Sequence, residues 1–296
     1  MSNNGVTKKL QWAALVVLVV AIIALLVVLF TQQRSYRADA EAARGGGTAV
    51  PSQESTATAD PSSSESSESP ESSASETSEA PDDPVEANTT AAQDVVNGTD
   101  DAVISVLGDS TSNTSNEWVY LWAEELGADA RVSVYSWNAE IGDWYAQPRE
   151  FGQGERTVTI WNGSEAEATP EFALSHDLLQ PEEANLVILN YGHRGSAEEV
   201  ESSLTELLDA LGAGSEGSAP VVLTAQNPAT GDWAESSEAN EQVVRAAAEE
   251  RGLPLIDVHA AFEETGDPAS LMVDAIHPSE QGSQVWAETV SSFFAS

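Results

Sequence analysis

Two short stretches hold side chains that could share one reaction. In "GDS", Gly108–Ser110, a hydroxyl follows an apolar run, and in "VDAIHPSEQG" Asp274 and His277 stand three positions apart ahead of a helical pattern. A serine hydroxyl is almost wholly protonated at neutral pH, so it attacks only if a base takes its proton during the step. An imidazole can serve, and a carboxylate set against it fixes the tautomer and stabilises the imidazolium. The spacing lets one turn present both side chains on the same side. Ser110 as nucleophile, His277 as base and Asp274 as orienting acid would then form one mechanism. Taken alone, "GDS" is also an ordinary turn or helix cap. Of the other histidines, His176 reads as a helix-surface residue, His259 as a loop packing group and His193 as a site-lining group without base duty. None of them has an acid at comparable spacing followed by a proline and a helix.

The elements that would position these residues are short apolar runs alternating with amphipathic segments over residues 101–296. Strands are expected at Ala102–Leu107, Arg131–Tyr135, Thr157–Trp161, Asn185–Asn190, Pro220–Thr224 and Leu253–Val258. Helices are expected at Glu117–Leu126, Glu171–Leu179, Ala197–Leu211, Glu238–Arg251 and Ser279–Ala295. Near-continuous apolar strands alternating with helices predict a three-layer α/β/α domain around a mainly parallel sheet. Ligands of such sheets sit at the carboxyl ends of the strands, and Ser110 falls just past one.

"GDS" after the first strand, "NYGHR" after a central strand, "AQNP" (Ala225–Pro228) after the fifth and "DAIH" before the terminal helix resemble, in order and spacing, the SGNH/GDSL hydrolases. The resemblance spans roughly Asp101–Ser296 and implies a flavodoxin-like fold acting on esters without metal or other cofactor. It assigns Ser110 as nucleophile, His277 as base and Asp274 as its acid. The family's oxyanion is met by the N–H of the nucleophilic serine, the N–H of a glycine in a second block and an asparagine side chain in a third. Here Arg194 stands where the asparagine is expected. The second block, "WNGSEAEAT", places Glu167 at the glycine; an alternative register keeps the glycine as Gly163.

A carboxylate beside a nascent oxyanion would raise the barrier, whereas a guanidinium binds carboxylates bidentately and could offset it. Glu167 and Arg194 are therefore expected to pair across the pocket mouth. Either Arg194 donates to the oxyanion and specificity is altered, or the pair plugs the hole and the domain binds without turnover.

Upstream the composition changes. Leu10–Phe30 carries no charge over about 21 residues, enough to span a bilayer core of roughly 30 Å. A secretory signal normally has an apolar core of only ~7–15 residues, so an uncleaved anchor is expected. Residues 31–100, rich in Ser, Glu, Pro and Thr from about Gly45, read as a disordered tether, with residues 1–9 cytoplasmic and residues 101–296 the catalytic domain outside the cell. The formal net charge of −38 disfavours nucleic acid and anionic lipid as partners of that domain. Zero cysteines exclude disulfides and thiolate metal sites. The expected protein is a single-pass, membrane-tethered extracytoplasmic serine esterase acting on O-acyl groups of a small-molecule or polysaccharide substrate. Trp137, Trp144, Tyr145 and Trp161 are available to stack on sugars or simply to pack the core. A lipase or thioesterase and an impaired binding module are the alternatives, and oligomeric state is left open.

Overall fold

The computed structural model describes residues 83–296, and within them the sheet is built around the strand that carries "GDS". That strand, β1 (Ala102–Gly108), pairs in parallel with β5 (Thr157–Asn162) on one side and β6 (Leu186–Asn190) on the other. Outward from β6 lie β7 (Val221–Ala225) and β8 (Leu255–Asp257), also parallel. Outward from β5 lies β2 (Arg131–Asn138), again parallel, and it carries two short antiparallel partners, β3 (Asp143–Trp144) and β4 (Arg149–Phe151).

Alternate residues of β1 feed two cores, as a strand covered on both faces must. Ile104 and Val106 join Leu186, Ile188 and Val222 on one face, while Leu107 joins Val187, Leu189 and Leu223 on the other. The first face is covered by α1 (Pro84–Asn97), α2 (Trp118–Leu126), α6 (Val258–Glu264) and α7 (Glu280–Ala295), with Trp118, Trp122, Trp286 and Phe294 fully buried. Across the sheet, α3 (Pro170–Leu174), α4 (Ala197–Ala210) and α5 (Ala234–Arg251) contribute Ala173, Leu204, Leu207 and Val244. The expected α/β/α fold with a mainly parallel, flavodoxin-like sheet is what forms.

Several expectations need correction. The end of the predicted disordered tether is helix α1: Asp83 caps it by accepting from the Val85 N–H, and Pro84 occupies its first turn, where no N–H is needed. It docks by burying Ala92 and Val96 and through Asn88 and Gln93, which donate to the Gly252 and Phe293 carbonyls at 2.8 and 2.7 Å. Arg156 closes its carboxyl end on the carbonyls of Val95 and Val96. The helix expected over Glu171–Leu179 stops at Leu174, because Asp177, Leu178 and Leu179 take left-handed backbone angles. His259 lies in α6 rather than in a loop. The predicted span at Leu10–Phe30 and the tether up to residue 82 fall outside the described residues; among those described, no helix is long and apolar enough to cross a membrane.

Candidate active site

Ser110 sits in the turn leaving β1, where the chain must pass close to β6. A Cβ on Gly108 would lie 2.9 Å from the Asn190 carbonyl oxygen and 3.0 Å from Ser164 Oγ, so only glycine lets these segments meet there. Asp109 then donates its N–H to the Asn190 carbonyl (3.2 Å) and turns its fully buried carboxylate inward. That carboxylate accepts from the Thr111 N–H (3.0 Å), the Thr111 hydroxyl (2.8 Å) and the Gln226 amide (3.0 Å), which satisfies a charge that burial would otherwise make costly. The nucleophile turn is thereby tied to the ends of both β6 and β7.

The Asp274–His277 turn, ahead of α7, comes to Ser110 from the opposite end of the sequence. His277 Nε2 is 2.9 Å from Ser110 Oγ, and its Nδ1 is 2.8 Å from Asp274 Oδ2 and 3.0 Å from Oδ1. With Nδ1–H donating to the carboxylate, Nε2 is free to accept the serine proton. Burial works against the ionised form of Asp274, yet the N–H groups of Ile276 (3.0 Å) and His277 (2.9 Å) and the imidazole outweigh it and hold the carboxyl at about 2. The carboxylate is therefore charged throughout the neutral range. Asn227 secures the turn by donating to the Ile276 carbonyl (3.1 Å), and the Thr230 N–H donates to that of Ala275 (2.7 Å). The "AQNP" stretch thus holds both halves of the site.

The remaining histidines do not compete. His193 is buried and its Nε2–H donates to the Asn227 carbonyl at 3.1 Å. Burial lowers its pKa, with Arg194 and His277 adding to the effect against the pull of Asp109, so it lines the site as neutral imidazole. His176 lies on the surface with Nδ1 against the Phe172 carbonyl (2.8 Å).

Geometry separates the two registers of the second block. The N–H of Gly163 donates to the Val106 carbonyl at 2.8 Å as an extension of the sheet, so Gly163 is not available as an oxyanion donor. Glu167 has φ 63°, a left-handed backbone that a glycine favours and other residues adopt at a cost of about 1–2 kcal/mol. A glycine would take this conformation without that cost. A backbone N–H does not depend on the side chain, and neither the Glu167 nor the Ser110 N–H is taken up by another group among the described residues.

The expected pairing of Glu167 with Arg194 forms only as a single 3.9 Å contact, not a bidentate fork, and the Glu167 side chain is 78% exposed. Such a contact contributes at most about 1 kcal/mol and cannot seal a pocket. Arg194 instead stacks over Trp233 at 4.6 Å, and its Nε is buried with no partner among the described residues.

Glu117 was not apparent from the sequence as part of this site. It is 8% exposed and accepts from the Thr114 N–H at 2.6 Å in the loop between Ser110 and α2. Burial raises it from 4.5 to about 7, with Asp109 adding to the rise, against the Thr114 hydrogen bonds and the charge of His277. Because the folded protein holds this proton more tightly than the unfolded chain, the stabilisation is complete below pH 4.5 and is lost as the pH rises through 7. Glu117→Gln keeps an oxygen for Thr114 and removes the charge. Its stability relative to the parent should increase by about 2 kcal/mol between pH 5.5 and pH 8.5. Urea unfolding at the two pH values checks this, and a difference independent of pH would refute it.

Fold and constellation together define a hydrolase of ester bonds. The chain belongs to the GDSL-like lipase/acylhydrolase family, whose sequence model matches residues 99–285. Among solved structures, it is similar to an acetylxylan esterase, Axe2, from Geobacillus stearothermophilus, at 15% identity and TM-score 0.50, covering 67% of this chain and 96% of that one. It is also similar to the lipase/acylhydrolase from Enterococcus faecalis, at 16% identity and TM-score 0.50 over 66% and 96% of the two chains. LAE5, an alpha/beta hydrolase from the metagenome of Lake Arreo, gives 17% identity and TM-score 0.50 over 67% and 96%. At these identities the likenesses speak for the fold. No curated protein matches the chain.

Proposed function

We propose that the domain is a serine esterase that removes O-acyl groups from carbohydrate outside the cell, held to the membrane by Leu10–Phe30. The unbroken hydrogen-bonded path from Asp274 through His277 to Ser110 is the observation that carries the reaction. As Ser110 Oγ attacks the acyl carbonyl, its proton passes to His277 Nε2, and the carbonyl oxygen becomes an oxyanion. The Ser110 and Glu167 N–H groups and the Arg194 guanidinium supply its donors. Collapse expels the sugar alcohol, which takes the proton from His277 and leaves Ser110 acylated. Water, deprotonated by the same imidazole, then attacks the acyl-enzyme, and collapse returns the proton to Ser110 with release of the acid.

The tether is supported by the charge-free run and the acidic, serine-rich segment that follows it, which suits a domain held away from a membrane. The carbohydrate reading is supported by the aromatic and amide side chains beside the nucleophile turn. A fluorescent fluorophosphonate should label the purified protein at Ser110, and a chromogenic acetate ester should be hydrolysed. If neither happens, the esterase reading fails. Protease added to intact cells should release residues 83–296; protection from it would overturn the proposed orientation.

A further inference from the structure

A cleft of about 500 Å³ opens at the carboxyl ends of β2 and β5, within the roughly 300–1,000 Å³ typical of small-ligand sites. Asn113 and Ser115, on the loop that leaves Ser110, form one wall, and the excursion from Ser136 to Arg149 forms the other. Ser164 and Glu165 also line it, and the Glu165 N–H donates to the Gly108 carbonyl at 3.1 Å. The cleft therefore adjoins the strand end that bears the nucleophile, on the side where β2, β3 and β4 extend the sheet.

Its walls mix polar groups with the apolar faces of Val134, Trp137 and Tyr145. Arg149 donates to the Ser115 carbonyl (3.0 Å) and stacks over Tyr120 at 5.5 Å, while the Tyr120 hydroxyl is bonded to that of Ser136. The Tyr145 N–H donates to the Ser136 carbonyl (3.0 Å), yet the residue is 53% exposed, an aromatic side chain left in water beside the amides of Asn138 and Gln147. A long acyl chain would cover the Asn138, Gln147, Glu140 and Arg149 groups without giving them hydrogen-bond partners, which is costly. A sugar combines a C–H face that can lie on an aromatic ring with a rim of hydroxyls that amides and a guanidinium can bind. Anionic ligands are disfavoured, because Glu140 and Glu165 share the cleft with Arg149 in a chain of net charge −38.

We propose that this cleft is an oligosaccharide subsite that holds the alcohol side of the ester, a neutral sugar lying on Tyr145 with its hydroxyls bound by Asn138, Gln147 and Arg149. The assignment of the alcohol side rests on the reading of Ser110 as nucleophile. The test uses the full chain and two kinds of substrate: O-acetylated xylo-, cello-, manno- and chito-tetraose, and 4-nitrophenyl acetate, which is too small to fill the cleft. Tyr145→Ala and Gln147→Ala should each lower the ratio of kcat/KM for the preferred saccharide ester to that for the nitrophenyl ester by about ten-fold, mainly through KM. Taking the ratio within one preparation removes any loss of folded protein. A ratio unchanged in both variants overturns the subsite.

Binding of the unacetylated tetraoses to the Ser110→Ala protein, read by tryptophan fluorescence, separates this proposal from the esterase reading. Saturable binding by at least one of them that weakens about ten-fold on adding Tyr145→Ala upholds the subsite even if no ester is turned over. No binding of any tetraose at millimolar concentration overturns it even if nitrophenyl acetate is cleaved.

Discussion

Ser110→Ala and His277→Ala are each expected to lower kcat for ester hydrolysis by about 10⁴-fold or more, and the double variant should be little worse than either alone. Among the described residues, Ser110 Oγ is the hydroxyl that meets His277 Nε2, at 2.9 Å, so removing it leaves the imidazole nothing to activate except water. Removing the imidazole leaves the hydroxyl protonated. Both lesions stop the same step, hence the lack of additivity. Asp274→Asn should cost roughly 10²–10⁴-fold, because an amide can present its NH₂ to Nδ1 and so favour the tautomer that carries its proton on Nε2, the wrong nitrogen. Since the Asp274 side chain is 54% exposed, its replacement should leave the fold intact. Steady-state kinetics with far-ultraviolet circular dichroism on the three variants checks the assignment. Retention of activity in Ser110→Ala would move the nucleophile to another residue.

Trp118→Ala should destabilise the domain by about 3–5 kcal/mol, the largest stability loss expected of any single change here. The indole is fully buried, stacked on Trp286 with ring centroids 5.9 Å apart and planes within 2°, and lies tilted against Trp122 at 6.4 Å. Its Nε1–H also donates to Ser112 Oγ at 2.9 Å, two residues beyond the nucleophile. The alanine variant leaves a cavity between α2 and α7 and leaves Ser112 Oγ, in the loop that carries Ser110, with the Asn190 amide as its remaining donor. Trp118→Phe preserves most of the packing but loses that hydrogen bond, so it should cost much less stability while still lowering kcat measurably. Urea unfolding and kinetics on the pair separate the two contributions. Equal stability losses for alanine and phenylalanine would show that ring packing is not what Trp118 supplies.

The chain by itself determined the parts whose signal is local. The apolar runs of β1, β6 and β7 are buried on both faces, so their composition reports the parallel sheet directly. Asp274 and His277 belong to one turn, and their spacing already brought the carboxylate to the imidazole. Where a partner lies far away in the chain, local pattern is silent. Helix α1 buries only Ala92 and Val96, and the side chains that dock it bond to residues more than 160 positions later, so its composition looked like the tether before it. Gln226 reaches Asp109 across 117 positions, and Glu117 becomes a buried acid only because α2 packs beneath the site. Tertiary structure alone also set Gly163 aside as a backbone donor, since both registers fit the letters. An N–H already committed to the sheet cannot serve an oxyanion, and that commitment exists only once β5 has paired with β1.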